Sequence, residues 1–239
     1  MVTGCDMKRL QWIFGGTASL AVVVILLISS FQAAMYLDFG VYQREYEKYE
    51  VLDDLGMEMD DVMYVTREMM AYLKGEREVL SVVTTVEGVE QDFFNEQDRL
   101  HMEDVQGLFL GGLALRRIGI AVLVLSLAFL LICKEDLRKI LARSFQVTVC
   151  ILGALILLLG IGIARNFNAV FTKFHELFFD NDLWLFDPAE DYMIRMLPEG
   201  LFFDMVIRIG ILFLGGLAVL LICSILCRQK RQAGDKEEN

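Results

Sequence analysis

Four stretches of about twenty residues carry almost no charge, and this patterning constrains the chain more than any other feature. Residues 12–31 and 145–164 are uninterrupted apolar runs. Residues 118–133 form a third, extended by 108–115 across the pair Arg116 and Arg117, and residues 209–227 form a fourth behind Arg208. A helix rising about 1.5 Å per residue needs about 20 residues to cross the roughly 30 Å hydrocarbon core of a bilayer. The predicted fold is therefore mainly α, a polytopic membrane protein with four transmembrane helices at about 12–33, 108–133, 145–164 and 205–227. A small extracytoplasmic α+β layer is predicted between the first two. Composition agrees: 56% of the 239 residues are hydrophobic and mean hydropathy is +0.49. The first run is too long for a signal peptide and no small-residue cleavage pattern follows it, so it reads as a retained helix. Gly4-Cys5 precedes that run, where a lipidation site would follow it.

Basic residues in the short flanks set the orientation. Lys8 and Arg9 precede the first run. Lys134, Arg138, Lys139 and Arg143 join the second to the third, and Arg228, Lys230 and Arg231 follow the fourth. These flanks are assigned to the cytoplasm, with both termini there. Segments 34–107 and 165–204 are then extracytoplasmic, carrying 19 acids against 6 bases and 8 against 3, which places an excess of 18 acids outside, more than the whole chain's net charge of −11. Such acidity argues against nucleic acid as a partner and against direct attraction to anionic lipid headgroups. Cys5, Cys133, Cys150, Cys223 and Cys227 all fall toward the cytoplasmic ends, so no external disulfide is expected, and they read as small apolar residues. Gly153, Gly160 and Gly162 read as allowances for close helix packing.

Within 34–107, residues 42–50 and 62–73 have helical character; Val62, Val65, Met69 and Tyr72 recur at three- and four-residue spacings. The β-branched run 79–86 reads as a strand ending at Glu87-Gly88 and pairing with 92–95. Segment 165–204 alternates aromatics and carboxylates without clean periodicity, as an interfacial lid would. Asn181-Asp182 and Asp187-Pro188 mark turns in it.

The chain has two histidines, His101 and His175, and both fall in outer segments near an apolar block. Imidazole is the side chain whose unperturbed pKa, about 6.5, suits proton transfer near neutrality. His175-Glu176 begins like H-E-x-x-H, but Phe179 stands where the second zinc ligand belongs. No G-x-S-x-G, Walker A or dinucleotide fingerprint occurs, and no metal or cofactor is implied. Arg116 and Arg117 oppose the orientation rule; they snorkel, pair with acids, or hold carbonyl or phosphate oxygens.

Two stretches resemble a known family. Glu96-Gln97-Asp98-Arg99-Leu100-His101-Met102-Glu103-Asp104-Val105 is similar to the HM-x-D-V signature of the lipoprotein intramolecular transacylases (Lit). The run FHELFFDNDLWLFDPAEDYMIRMLP, residues 174–198, is similar to that family's second signature, with Phe186 standing where an aliphatic residue belongs. The resemblance implies a bacterial plasma-membrane acyltransferase with no cofactor, acting on lipoproteins whose N-terminal cysteine carries a diacylglyceryl group. It would move the sn-2 acyl chain to the cysteine's free α-amine, giving the lyso form. His101 and His175 would be the acid–base pair. Asp104, Asp182 or Asp187 would orient an imidazole, and Arg116 or backbone N–H groups would hold the oxyanion. Phe178, Phe179, Trp184 and Phe186 would shield a substrate entering from membrane lipid. Two rival readings stand beside it: a hydrolase releasing the chain to water, and a non-enzymatic sensor, assembly factor or transporter.

Overall fold

The computed structural model describes residues 4–133 and 137–237. Lys134 lies outside the described residues, as do the side chains of Cys5, Cys227, Arg228, Lys230 and Arg231. Nine helices and one hairpin are present among the described residues. In chain order they are α1 (Gly4–Tyr36), α2 (Gly40–Lys48), α3 (Val51–Leu55), α4 (Met59–Leu73), β1 (Val83–Val86), β2 (Val89–Asp92), α5 (Glu96–Ile132), α6 (Leu137–Arg165), α7 (Phe167–Phe178), α8 (Tyr192–Met196) and α9 (Glu199–Glu237). Four of them, α1, α5, α6 and α9, are long and apolar enough to cross a membrane. The chain is mainly helical with four such helices and one small two-stranded sheet, as its apolar blocks predict.

The chain divides into two compact units. The first comprises residues 1–32, 114–162 and 209–239. Its buried apolar residues are few: Val23, Phe145, Phe213 and Leu217 form one small cluster, while Leu125, Leu131, Leu158 and Ile211 are largely exposed. Lipid is the natural cover for such side chains. Close helix approach occurs where α1 meets α6: a Cβ on Gly15 would lie 2.7 Å from Ile140 Cγ2 and from Ser144 Oγ. Gly153 and Gly160 have no neighbouring atom within 4 Å of a Cβ, so these two glycines do not serve the close packing that the sequence suggested.

The second unit comprises residues 33–113 and 163–208 and has a true core. Tyr42 and Tyr46 of α2, Leu55 of α3, Val62, Met63, Val65 and Met69 of α4, and Phe93 and Phe94 are all buried in it. The 62/65/69/72 spacing on α4 is the stripe that faces this core. Thr66 Oγ1 donates to the Val62 carbonyl at 2.8 Å, so the Tyr46 hydroxyl donates to Thr66 at 2.6 Å and its buried polar tip is satisfied. Arg195 of α8 donates to Asp54 and Glu87, both at 3.0 Å, fastening α8 to α3 and to the hairpin turn.

The strands lie closer to the turn than the sequence suggested. Val86 pairs with Val89 and Val83 with Asp92, so the partner strand begins directly after Glu87-Gly88. Both turn residues have positive φ, 53° and 79°, the left-handed pair that a two-residue hairpin requires. Helix α7 is also clearer than expected. Asn166 caps it, its Oδ1 accepting from Ala169 N at 2.9 Å, and its most buried residue is His175.

A paired-histidine candidate active site

Every residue of the candidate site comes from the second unit. His101 lies in the second turn of α5 and His175 in the last turn of α7. The imidazoles are 6% and 8% exposed, and their ring centroids stand 6.0 Å apart with planes 25° from parallel. Two histidines 74 positions apart in sequence thus share one small apolar setting, and a reacting group set between them would lie within reach of both.

Aromatic rings wall the pair. Phe179 meets His101 at 5.1 Å and His175 at 5.5 Å. Phe186 stands edge-on to His101 at 5.3 Å. Trp184 lies at 5.0 Å from His175, and Phe171 at 4.3 Å. The stack arises locally: Phe171 and His175 are one helical turn apart on α7, and Phe179 follows immediately past its end.

The hydrogen bonds of the two rings differ. His175 Nδ1 lies 2.8 Å from the Phe171 carbonyl oxygen. A carbonyl only accepts, so Nδ1 carries the proton and Nε2 presents a lone pair, the arrangement of a general base. Burial disfavours the imidazolium and lowers the His175 pKa below its ordinary value, an effect the bond to Phe171 partly offsets. His101 has no such fixed partner: its Nδ1 is buried and makes no hydrogen bond. A buried, unpartnered ring nitrogen beside a base with a free lone pair is an arrangement that a bound polar substrate would complete.

The other expected site residues fall into two groups. Phe179, Trp184 and Phe186 stand at the imidazoles. Asp104, one turn beyond His101 on α5, interacts with it electrostatically and accepts a hydrogen bond from Asn181 Nδ2 at 2.9 Å. The remaining four are placed elsewhere. Phe178 is half exposed and packs on Phe174 at 4.7 Å. Asp187 caps its own turn, accepting from Ala189 N at 2.9 Å. Asp182 lends its carbonyl to the turn that closes at Leu185 N. Arg116 belongs to the first unit, where its guanidinium donates to Gln32 of α1.

Three residues of this region were not expected at the site: Phe171, which fixes the His175 tautomer, and Gln97 and Asn181, which hold the loop after α7, Asn181 having been read only as a turn residue. Phe171 and His175 are four apart, and Gln97, His101 and Asp104 recur at the four- and three-residue spacings of one helix face. That periodicity was the available signal. Among the described residues, no group of three or more His, Cys, Asp or Glu side chains is arranged to hold a metal ion.

Residues 17–203 match the family described as lipoprotein intramolecular transacylase Lit. No functionally curated protein sequence matches the chain. Among solved structures, the membrane-integral lipoprotein intramolecular transacylase Lit from Bacillus cereus is similar with a TM-score of 0.72 at 23% identity, covering 97% of this chain and 98% of that one. A form of the same Bacillus cereus protein with a histidine replaced by alanine aligns with a TM-score of 0.73 at 22% identity, covering 95% and 97% of the two chains.

Proposed function

Given that the chain belongs to the lipoprotein intramolecular transacylase (Lit) family and is a multi-pass membrane protein, we propose that it moves the sn-2 acyl chain of a diacylglyceryl-cysteine to that cysteine's own α-amine. The observation that carries the reading is the buried pair His101 and His175, with one tautomer fixed and one ring nitrogen unpartnered.

The chemistry asks little beyond placement and proton handling. Donor ester and acceptor amine are already tethered in one substrate, so the protein holds them in contact; effective molarities of well-oriented intramolecular reactions reach about 10⁵–10⁸ M. The α-ammonium, of unperturbed pKa about 8, must first lose a proton. His175 Nε2 accepts it, and the same desolvation that keeps this imidazole neutral disfavours the ammonium beside it. The amine nitrogen then bonds to the ester carbon to give a tetrahedral intermediate, and its second proton passes to His101. On collapse the bond to the glycerol oxygen breaks and that oxygen takes the proton from the His101 imidazolium. The first proton leaves His175 for water, so ester and ammonium become amide, alcohol and one released proton. Asp104 supplies the nearby negative charge that favours a transient imidazolium at His101.

The acid-rich segments make up most of the second unit, which on this reading is the extracytoplasmic part, with both termini in the cytoplasm of a bacterial cell. Its partners are diacylglyceryl-modified lipoproteins held in membrane lipid. The test uses the purified chain and a synthetic diacylglyceryl-cysteine lipopeptide with a free amine. Tandem mass spectrometry should find an acyl group on the amine. A product one acyl group lighter with a free amine would mean a hydrolase, and no product at all would favour a non-enzymatic role.

A further inference from the structure

The loop that follows α7 is sewn to α5 at two points that bracket His101. Gln97 Nε2 donates to the Leu183 carbonyl at 3.1 Å and to the Leu185 carbonyl at 3.0 Å, the carbonyls of the two residues that flank Trp184. Two turns further on, Asp104 accepts from Asn181. Gln97, His101 and Asp104 lie on one face of α5, so both fastenings stand over the same histidine.

We propose that Gln97 is a positioning residue whose doubly donating amide holds Trp184 and Phe186 over the histidine pair, and that this cover directs the acyl group to the amine rather than to water. The inference rests on the transacylase reading above and deepens it. Water and amine compete for the same ester carbon. If water attacks, its oxygen bonds to the carbonyl carbon, the glycerol oxygen leaves with a proton, and a free fatty acid departs while the amine stays unmodified. The protein can disfavour that route by excluding water from the imidazoles, which the rings of Phe179, Trp184 and Phe186 do. The backbone between Leu183 and Leu185 lies in a partly exposed loop, and Gln97 holds it at the carbonyls of both residues. Its amide is uncharged, so an uncharged replacement alters the cover without altering the charge that faces His101.

The experiment uses the full chain with Trp12→Phe, which leaves Trp184 as the sole tryptophan of the two in the sequence. In this background Gln97→Met keeps the side chain's length and neutrality but removes the donor, and Gln97→Leu removes it with a second uncharged side chain. Two signals are read: Trp184 emission with iodide quenching, and the ratio of free fatty acid to N-acyl product from a synthetic diacylglyceryl lipopeptide. Both variants should shift emission to the red, increase quenching, and raise that ratio by about tenfold, the factor expected for one to two net hydrogen bonds. An unchanged ratio in the two variants, whether or not emission moves, would overturn the proposal. If the parent itself makes no N-acyl product, the transacylase reading fails, while the emission signal still reports whether Gln97 holds Trp184.

Discussion

The two units of this chain use apolar residues in opposite ways. In the second, Leu55 is 0% exposed within a core of tyrosine, methionine and phenylalanine. In the first, Leu158 is 67% exposed on α6. The difference lies in the solvent each unit meets. A leucine facing lipid loses nothing by leaving the protein surface uncovered, whereas one facing water must be buried by other side chains. The same contrast governs polar groups. In the second unit two imidazoles are buried among aromatic rings, and the catalytic proposal depends on that surrounding.

The comparison breaks most visibly at the histidines. His101→Ala or His175→Ala should lower conversion of a diacylglyceryl lipopeptide by about 10²–10⁴-fold, the usual worth of a positioned acid or base, while helicity and folding persist. Near-parental conversion by either variant would end the paired acid–base model. Next in size is the core itself. Leu55→Ala should destabilise the second unit by about 2–5 kcal/mol, transfer and cavity effects together, measured as a lowered unfolding midpoint in detergent micelles.

The third test concerns pH. The folded protein binds a proton at His175 less tightly than the unfolded chain does, so this residue's stabilising effect is present above the ordinary imidazole value of about 6.5 and is lost as pH falls below it. NMR of a protein labelled at its two histidines should show His175 titrating below 6.5, and His175→Gln should flatten the acid limb of the stability profile. A titration at or above 6.5 would contradict the account. The smallest effect sharpens the comparison from the other side: Leu158→Ala should change the unfolding free energy by no more than about 0.5 kcal/mol, as surface positions do. A loss as large as that of Leu55→Ala would show that protein, not lipid, covers this face.

How much of this was legible in the sequence differs between the same two regions. The long helices were readable because an apolar run of bilayer length has few alternative uses. Helix α4 was readable from the stripe Val62, Val65, Met69. The hairpin was recognised but its partner strand set three residues too late, because the positive φ of Glu87 and Gly88 closes the turn at once. Helices α3 and α8, five residues each, are too short for any periodicity to register. Helix α7 was obscured because the aromatic run was read from Phe174 onward; from the cap Asn166, the steps Phe167, Phe171, His175 are regular. At the site, the residue types pointed to His101 and His175, and their approach to 6.0 Å depends on tertiary contacts that no local pattern encodes. Gln97 shares a helix face with His101 and Asp104, but an amide binding two backbone carbonyls leaves no motif of its own, so that spacing alone did not mark its role.

The central claim is that a buried histidine pair transfers an acyl chain within one substrate molecule. The most direct measurement mixes two lipopeptides of different sequence, only one of which carries an isotope-labelled sn-2 chain, and follows the label by mass spectrometry. The account predicts that the label moves from glycerol to the amine of its own peptide, at unchanged intact mass. Label on the amine of the other peptide, or released as free fatty acid, would contradict it.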